Sequence, residues 1–335
     1  MSGRRQHAAL SRTAEILLFL LFLALAAGFF IGVDLLEKKN RKAEPIGDPD
    51  AVRWSNAVEI GGALYARKPN LTSILVMGID RDEMTEQAGS RNGGQADFLE
   101  LIVLNETDKT VSRIVIDRDT ITSISVPSIT GNRLRQRMER ISLSHGFGNG
   151  REQSCELTVD AAKRLLDGAP INYYISLAMN SLPVVNDLLG GVTVTVEDDL
   201  SSVSPRLTKG ATLTLTSEEA YLYVRSRMTV GEGTNESRMR RQQGYIQAAS
   251  ELMVQKFATG TAFCEELYEA LLPYMITDLP KGRLVNEAYA ASSYTRLPEY
   301  NPKGTHMVDK DGFMQFIVDT DDLQRIILEV FYDKL

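Results

Sequence analysis

A chain of 335 residues with 43% hydrophobic and 24% charged residues can bury a large core, and this composition is ordinary for a globular protein. Its net charge of −7 argues against nucleic-acid binding, which usually accompanies an excess of basic residues. Two cysteines, Cys155 and Cys264, are too few for a disulfide framework, and three scattered histidines do not form a zinc motif. Whether the two cysteines pair is left open by the sequence.

The N-terminal region carries the first strong signal. Residues 16–33 form an uninterrupted run of 18 apolar residues, ILLFLLFLALAAGFFIGV, close to the roughly 20 residues that cross a bilayer core. The run is longer than the apolar part of a usual signal peptide, and no A-x-A-like cleavage site precedes a polar start. We therefore expect a transmembrane signal anchor at residues 15–36 after a short tail, residues 1–14. Basic residues flank the run on both sides, so charge alone does not orient it.

The next segment, residues 37–57, is polar, contains Pro45 and Pro49, and predicts a linker to one domain over residues 58–335. A Gly61-Gly62 pair between two short segments predicts a β-hairpin. Three apolar runs typical of buried strands follow, and the turn NETDK joins the last two as an antiparallel pair. These runs cover residues 73–78, 98–104 and 111–116.

Helical and strand patterns then alternate along the chain. We predict helices at 158–166, 180–189 and 321–332, and strands at 172–177, 192–196 and 313–318. Thr216 and Glu219 form a capping box that begins a helix through Tyr223. Asn235 is the predicted N-cap of a long helix that ends at about Thr259. Strands mixed with helices throughout predict an α/β sandwich.

An arginine-rich stretch, residues 225–241, holds five arginines and no lysine. Arg225 and Arg227 follow the capped helix at a spacing of two, which places both side chains on one face if that link is extended. Arginine suits bidentate recognition of phosphate oxygens, so the stretch predicts a pyrophosphate site. The alternative that spacing leaves open is a solvated face with local ion pairs to Glu232 and Glu236.

The start of the long helix adds to this stretch. Arg238, Arg241 and Gln242 are spaced i, i+3 and i+4, which places them on one helix face. Free N–H groups and the helix dipole favour an anion near a helix N-terminus.

Two carboxylates are candidates for a metal site. Asp80 ends the strand-like run ILVMGID, and Asp97 begins the next strand after a glycine-rich loop. Without histidine or cysteine companions, two carboxylates at neighbouring strand ends suit a hard cation such as Mg²⁺. The alternative is that both aspartates only cap loops. Arg118 and Asp119 follow the third strand and are expected near the same edge.

The motifs occur in an order that resembles the LytR-CpsA-Psr family of cell-envelope phosphotransferases. The resemblance covers about residues 72–250 and includes ILVMGID, GGQADFLELIVLN, IVIDRDT, LLGGVTVTV, EEAYLYVRSR and NESRMRRQQ. A later segment, DGFMQFIVD, is similar to the C-terminal region of the family. The resemblance implies an α/β/α sandwich with a central mixed sheet and an apolar pocket for lipid between residues 157 and 192.

The resemblance implies a function at the cell membrane. The expected reaction transfers a glycopolymer from a polyprenyl-pyrophosphate carrier to peptidoglycan. The expected topology has a cytoplasmic N-terminus, a single membrane span and an extracytoplasmic main domain. The matching residues are Asp80 and Asp97 for Mg²⁺; Arg118, Arg225, Arg227, Arg238 and Gln242 for the pyrophosphate; and Arg118, Asp119, Arg225 and Arg227 for catalysis.

The sequence departs from the family pattern at four positions. Gln95 replaces an arginine, Asp117 replaces a proline, Ser142 replaces an asparagine and Asn235 replaces an aspartate. Losing an arginine removes positive charge and gaining a carboxylate adds negative charge, so both changes weaken a site for a dianion. An alternative function is therefore a membrane-anchored protein that binds lipid-linked glycan without transferring it.

Overall fold

A computed structural model describes residues 57–84, 86, 93–128, 134–226 and 235–335, without the side chains of 235–240, 242, 243 and 246. Of the regions predicted above, the N-terminal tail, the anchor at 15–36 and nearly all of the linker lie outside these residues. No helix within the described ranges combines the length and the apolar character needed to cross a membrane.

The strands and helices alternate along the described chain, much as the sequence predicts. In chain order the strands are β1 Val58–Ile60, β2 Ala63–Arg67, β3 Leu71–Ile79, β4 Ala96–Asn105, β5 Thr110–Val115, β6 Ile121–Pro127, β7 Leu134–Arg140, β8 Tyr173–Ala178, β9 Thr193–Thr195, β10 Thr212–Thr214, β11 Met275–Thr277, β12 Thr295–Arg296, β13 Gly304–Val308, β14 Met314–Val318 and β15 Tyr332–Lys334. The α-helices are α1 Glu152–Leu165, α2 Ser181–Leu189, α3 Ser217–Arg225, α4 Asn235–Ala258, α5 Thr261–Leu271, α6 Lys281–Ala291 and α7 Thr320–Phe331. Short 3₁₀ helices lie at Ile141–Leu143, His145–Phe147 and Leu272–Tyr274.

A six-stranded mixed sheet forms the centre, in the order β11-β8-β3-β4-β5-β12. Strand β3 pairs antiparallel with β4 and parallel with β8, and β4 pairs antiparallel with β5. The antiparallel β4–β5 pair confirms the hairpin predicted from NETDK. Every residue of β4 is buried, which is typical of a strand covered on both faces and explains its continuous apolar run.

Helices cover both faces of this sheet. Along β3, Ile74 and Val76 point into one apolar core, whereas Leu75, Met77 and Ile79 point into another. The first core is completed by α2–α6, and we call this side the front face. The second is completed by α1 and α7, and we call it the back face. The layers therefore form the α/β/α arrangement expected from the sequence.

The two cysteines lie in different cores. Cys264 belongs to the front-face core and Cys155 to the back-face core, and both are free and buried. With the central sheet between them, they act as small apolar core residues.

Several element boundaries differ from the sequence prediction. Helix α1 begins at Glu152, six residues before the predicted start, and α3 extends to Arg225 rather than ending at Tyr223. The predicted capping box of Thr216 and Glu219 is present at the start of α3. Hairpin β6–β7 and helices α5 and α6 are additional elements that the sequence pattern did not predict.

A carboxylate lies inside the sheet on its front face. Glu100 of β4 is fully buried, and neither of its carboxyl oxygens accepts a hydrogen bond in the described structure. Its ion-pair partner is Arg113, with Nη1 3.5 Å from Oε1, and the same guanidinium pairs with Glu299 at 3.0 Å. Burial raises the pKa of Glu100 to about 8, although Arg113 opposes this effect.

We predict that Glu100→Gln flattens the dependence of stability on pH. In the folded protein Glu100 keeps its proton up to about pH 8, whereas the unfolded chain releases it near the ordinary value of 4.5. The wild type therefore loses stability as pH rises through this window, by roughly 2–4 kcal/mol. Urea unfolding of the full chain in detergent, at about pH 5 and about pH 8.5, measures the change.

Comparison of the variant with the wild type isolates Glu100, because the other carboxylates titrate in both proteins. Glu299→Gln is the matched control, since Glu299 is partly exposed and pairs with the same arginine. Parallel pH curves for Glu100→Gln and the wild type would contradict the prediction.

One arginine of the arginine-rich stretch belongs to the core. Arg241 is 1% exposed, and its Nη1 lies 2.5 Å from Oδ2 of the buried Asp198. Its other nitrogens donate to the carbonyl oxygens of Tyr223 at 3.2 Å and Ser226 at 2.7 Å. Arg241 therefore links α4 to the end of α3, and its predicted place on a phosphate-binding face is wrong.

We predict that Arg241→Ala lowers the free energy of unfolding by about 3–5 kcal/mol, because it leaves Asp198 buried without its partner. Arg225→Ala should change it by less than about 0.5 kcal/mol, because Arg225 is a surface residue. Urea unfolding of both variants provides the measurement. Equal losses would show that the two arginines share one structural role.

Candidate active site

The candidate site lies where three neighbouring strands meet one edge of the central sheet. Asp80 follows β3, Asp97 is the second residue of β4, and Arg118 follows β5 shortly after its end. Because β4 runs antiparallel to both neighbours, the ends of β3 and β5 meet the start of β4. Residues from three separate motifs thus reach the same edge.

A buried ion pair forms the centre of this edge. Arg118 is 4% exposed and Asp97 is fully buried, and Nη1 of Arg118 donates to Oδ1 of Asp97. Nη2 of Arg118 donates to Oε1 of Gln95 at 3.1 Å. Nε lies 3.4 Å from Oδ1 of Asp119. These contacts on several sides fix the guanidinium plane.

The second carboxylate oxygen of Asp97 is available to bind a proton or a cation. Oδ2 is buried and has no hydrogen-bond partner in the described structure. Burial raises the pKa of Asp97 well above its ordinary range; Arg118 opposes this, and the charges of Asp80 and Asp119 add to it. A buried carboxylate oxygen without a partner is costly unless a proton or a cation satisfies it.

The loop between β3 and β4 positions the other predicted metal ligand. Asp80 Oδ1 accepts the backbone N–H of Gln95 at 2.6 Å, and the backbone N–H of Asp80 donates to the carbonyl oxygen of Gln95 at 3.1 Å. Gly94 precedes this contact with φ +79°, and a Cβ atom there would lie 2.7 Å from Ile79. Desolvation raises the pKa of Asp80, against the hydrogen bond from Gln95 and the charges of Arg118 and Arg81.

Two carboxylates are enough protein ligands for Mg²⁺, but they are too few for a metal ion whose ligands all come from the protein. Among the described residues, no group of three or more histidines, cysteines or acidic residues is placed to hold a metal. Mg²⁺ commonly takes one or two protein carboxylates and completes its shell with water and substrate phosphates. The Oδ2 atom of Asp97, which has no hydrogen-bond partner in the described structure, would supply a donor for such an ion.

The carboxylates of the loop after β5 connect the site to later parts of the chain. Asp119 lies 3.6 Å from Nη1 of Arg140, at the end of β7. Asp117 Oδ1 accepts the backbone N–H of Asp119 at 2.8 Å, and Oδ2 lies 2.9 Å from Nε2 of His306 on β13. The sequence analysis missed Arg140 and His306, since neither belongs to a recognised motif.

Arg225 approaches the same edge from the front face. It is the last residue of α3, and Arg227 lies outside the described residues, so the predicted placement of both side chains on one face stays a prediction. Its Nη1 lies 3.6 Å from Oδ1 of Asp82, and its guanidinium stacks 5.1 Å from the ring centre of Tyr221. Asp82 follows Asp80 by two residues, so Arg225 lies beside the loop that carries the first carboxylate.

The other three predicted pyrophosphate ligands lie wholly or partly outside the described structure. Arg227 lies outside the described residues, and so do the side chains of Arg238 and Gln242. The helix that carries the last two begins at Asn235. Their roles in the site stay predictions.

Ser142 and His145, which lie in the segment that departs from the family pattern, are buried polar residues next to the site. The backbone N–H of Ser142 donates to the carbonyl oxygen of Arg118 at 3.1 Å, while its hydroxyl is buried without a hydrogen-bond partner. Nδ1 of His145 lies 2.8 Å from the carbonyl oxygen of Gly93. Burial lowers the pKa of His145 to about 4, so the imidazole is neutral and acts as a support for the glycine-rich loop.

The segment predicted to line a lipid pocket divides between the two faces. Helix α1 packs on the back face and α2 on the front face, so residues 157–192 do not line one side of the sheet. The half that lies on the same face as Arg225 is the α2 half. The pocket itself stays a prediction.

Comparisons with known proteins agree with this fold. Residues 33–329 match the LytR_cpsA_psr family. TagU of Bacillus licheniformis, a polyisoprenyl-teichoic acid–peptidoglycan teichoic acid transferase, is 33% identical over 155 residues, which cover 46% of this chain and 44% of that protein. The chain thus spans about half the length of the curated relatives it matches.

Solved structures share the fold. The Lin1025 protein of Listeria innocua is 26% identical with a TM-score of 0.51, covering 77% of this chain and 96% of that one. The structure of TagT bound to LI-WTA is 20% identical with a TM-score of 0.53, covering 78% of this chain and 90% of that one. The family match over residues 33–329, joined to the ordered motifs at one sheet edge, shows that the chain belongs to the LytR_cpsA_psr family.

Proposed function

We propose that this protein transfers a glycopolymer from a polyprenyl-pyrophosphate carrier to peptidoglycan. The observation that carries the proposal is the buried Arg118–Asp97 pair, whose carboxylate keeps one oxygen without a partner at the edge where Asp80, Asp119 and Arg225 also lie. Relatives named teichoic acid transferases support the reaction class. A neighbouring fold bound to LI-WTA supports a lipid-linked substrate.

Arginine side chains would hold the pyrophosphate. Arg118 is preorganised by its contacts with Asp97, Gln95 and Asp119, so it loses little side-chain entropy when an anion binds. Arg225 is exposed and reaches the edge from the front face. We assign Arg227, Arg238 and Gln242 to the same anion on the family pattern. We place the lipid part of the carrier on the front face.

Mg²⁺ is the cofactor that the carboxylates fit. Asp80 and Asp97 would hold it, with the buried Oδ2 of Asp97 as one donor. When bound, Mg²⁺ would neutralise charge on the phosphate oxygens. Both carboxylates have raised pKa values, and a nearby cation would return them to the ionised form.

The chemical step is an in-line displacement at phosphorus. The oxygen of an acceptor hydroxyl forms a bond to the glycan-side phosphorus while the bond from that phosphorus to the bridging oxygen breaks. Polyprenyl phosphate leaves with that electron pair, and the hydroxyl proton passes to a carboxylate. Asp119 is our candidate for this proton, because Asp97 is committed to Arg118 and the metal.

The location proposed for the protein follows from the carrier. A signal anchor at residues 15–36, with residues 1–14 in the cytoplasm, would hold the domain at the outer surface of the cell membrane. Peptidoglycan and the carrier's pyrophosphate both lie at that surface. Nucleic acid is not a proposed partner.

A second candidate function is binding of the lipid-linked glycan without transfer. It is favoured by Gln95, whose Oε1 accepts a hydrogen bond from Arg118 where the family carries another arginine. One positive charge fewer would lower the stabilisation of the transition state more than that of the bound substrate.

We predict that Arg225→Ala and Asp97→Asn each lower kcat/KM for transfer by about 10²–10³. Arg225→Ala removes a cation that opposes the developing phosphate charge, and Asp97→Asn removes the carboxylate that positions Arg118 and would hold Mg²⁺. The assay follows labelled glycan from a polyprenyl-pyrophosphoryl oligosaccharide into peptidoglycan, with the full chain in detergent and Mg²⁺. Arg325→Ala is the matched control, since this exposed arginine lies on α7 and its ion-pair partners among the described residues, Asp322 and Glu329, lie on the same helix.

The outcomes separate the two functions. Transfer that the control keeps and both site variants lose supports the transferase. Carrier binding that depends on Arg225 without any transfer supports the binding protein. Absence of carrier binding contradicts both.

We predict opposite effects for Gln95→Arg in the absence and presence of an anion. Without ligand, the new cation lies beside Arg118 and should lower the unfolding temperature by a few degrees, on the order of 1 kcal/mol. With inorganic pyrophosphate and Mg²⁺ the stabilisation by ligand should exceed that of the wild type, because two cations face the dianion. Thermal unfolding with and without ligand measures both effects. Gln95→Met, which adds no charge, is the control. If the ligand raises the unfolding temperature of both variants equally, the prediction is contradicted.

A further inference from the structure

We propose that a groove on the back face binds the carbohydrate acceptor, a β-linked amino-sugar strand of peptidoglycan. The groove has a volume of about 560 Å³, within the roughly 300–1,000 Å³ of small-molecule sites. One wall is the end of β7 with the 3₁₀ segment after it, and the other is the turn from β13 to β14. Its lining includes Met138, Arg140, Phe147, Lys310, Phe313 and Gln315. This inference rests on the proposed transferase function and adds the acceptor's binding site to it.

The groove is continuous with the catalytic edge through two side chains. Gln95 lines the groove and accepts the hydrogen bond from Arg118. Arg140 lines the groove and lies 3.6 Å from Asp119. A hydroxyl group of a bound sugar at this end would therefore lie next to Asp119, the carboxylate that we assign to its proton.

The position of the groove suits an in-line reaction. Arg225 reaches the loop after β3 from the front face, where α3 packs, through its contact with Asp82. Leu143 and Phe147, at the base of the groove, pack against the back-face core. Attacking and leaving oxygens lie on opposite sides of the phosphorus in a phosphoryl transfer. A carrier on the front-face side thus requires an acceptor from the back-face side.

The charge of the groove distinguishes its ligand from the carrier's pyrophosphate. Arg137, Arg140 and Lys310 are balanced by Glu139, Asp309 and Asp311, three cations against three carboxylates. Such a mixed lining offers donors and acceptors for hydroxyl and amide groups without selecting a dianion.

Apolar side chains complete a surface suited to sugar rings. Met138 is 64% exposed and Phe313 is 45% exposed, and they line the groove from opposite walls. The guanidinium of Arg140 lies 5.0 Å from the ring centre of Phe313, which orients the ring. Sugar rings present C–H groups that pack on such surfaces while their hydroxyls reach the polar lining.

The turn that forms the second wall is held in shape before any ligand binds. Asp309 Oδ1 accepts the backbone N–H groups of Asp311 at 2.9 Å and Phe313 at 2.8 Å. Its Oδ2 accepts from the amide of Gln315 at 3.3 Å. A preorganised wall lowers the entropy cost of binding.

The same hairpin is attached to the loop that carries Arg118. The backbone N–H of Phe316 donates to the carbonyl oxygen of Asp119 at 2.8 Å. His306 contacts Asp117 and stacks 4.7 Å from the ring of Phe316. The acceptor wall and the reactive carboxylate therefore form one unit.

The test measures binding of a tetrasaccharide of alternating N-acetylglucosamine and N-acetylmuramic acid, by calorimetry, to the full chain in detergent. Phe313→Ala and Met138→Ala, one from each wall, should each weaken binding at least about fivefold, since each removes apolar contact area. Val308→Ala is the matched control, because Val308 is 62% exposed on the same hairpin and does not line the groove.

A kinetic measurement separates this inference from the proposed function. In the transfer assay, Met138→Ala should raise KM for the acceptor at least about fivefold and leave KM for the carrier within about twofold. Arg225→Ala should weaken carrier binding and leave tetrasaccharide binding unchanged.

Two results would overturn the inference. One is that Phe313→Ala and Met138→Ala bind the tetrasaccharide as tightly as Val308→Ala does. The other is a wild type that binds carrier but no tetrasaccharide, which leaves the carrier site standing. A third result would reject the proposed transferase function alone. In that result the protein does not bind the carrier, but it binds the tetrasaccharide and both wall variants weaken this binding.

Discussion

The buried pair of Arg118 and Asp97 is the interaction on which the site depends. Removing two charges from water costs several kcal/mol for each, and their attraction offsets this only where further contacts satisfy both groups. Gln95 and Asp119 provide such contacts for the guanidinium. Asp97 keeps one oxygen unsatisfied, so its side of the pair is incomplete within the described protein. The arrangement of β3, β4 and β5 brings these groups to one edge, and the proposed roles of metal, carrier and acceptor all refer to it.

The sequence predicted the parts of this site that local pattern determines. Apolar runs located β3, β4 and β5, and the position of Asp80 and Asp97 at the ends of those runs placed both at one sheet edge. Arg140 and His306 could not be found this way, because they come from strands that are largely exposed and lack an apolar alternation. For Arg241 the sequence pattern gave a wrong prediction. Helical spacing placed this residue on a binding face, but Arg241 is buried because it pairs with Asp198, which lies 43 residues earlier. Spacing cannot distinguish a solvated helix face from one that packs on a distant carboxylate.

The departures from the family pattern have structural partners here. Asp117, in place of a proline, accepts a backbone N–H group of its own loop and contacts His306. Gln95, in place of an arginine, contacts Arg118 and, through its backbone, Asp80. The charge lost at the centre is thus accompanied by hydrogen bonds that fix the same loops. Rigidity of the loops and positive charge are separate contributions to anion binding, and in this chain the substituted residues contribute hydrogen bonds that support the first.

The contact between Asp117 and His306 joins residues 189 positions apart in the chain. Contacts of such long sequence separation form late, because a long loop must close first. During synthesis from N- to C-terminus, the three central strands and Arg118 would emerge well before β13 and β14. The edge that carries the reactive groups therefore stays open on one side until nearly the whole chain has emerged. Completion of the fold would then be the event that completes the proposed site.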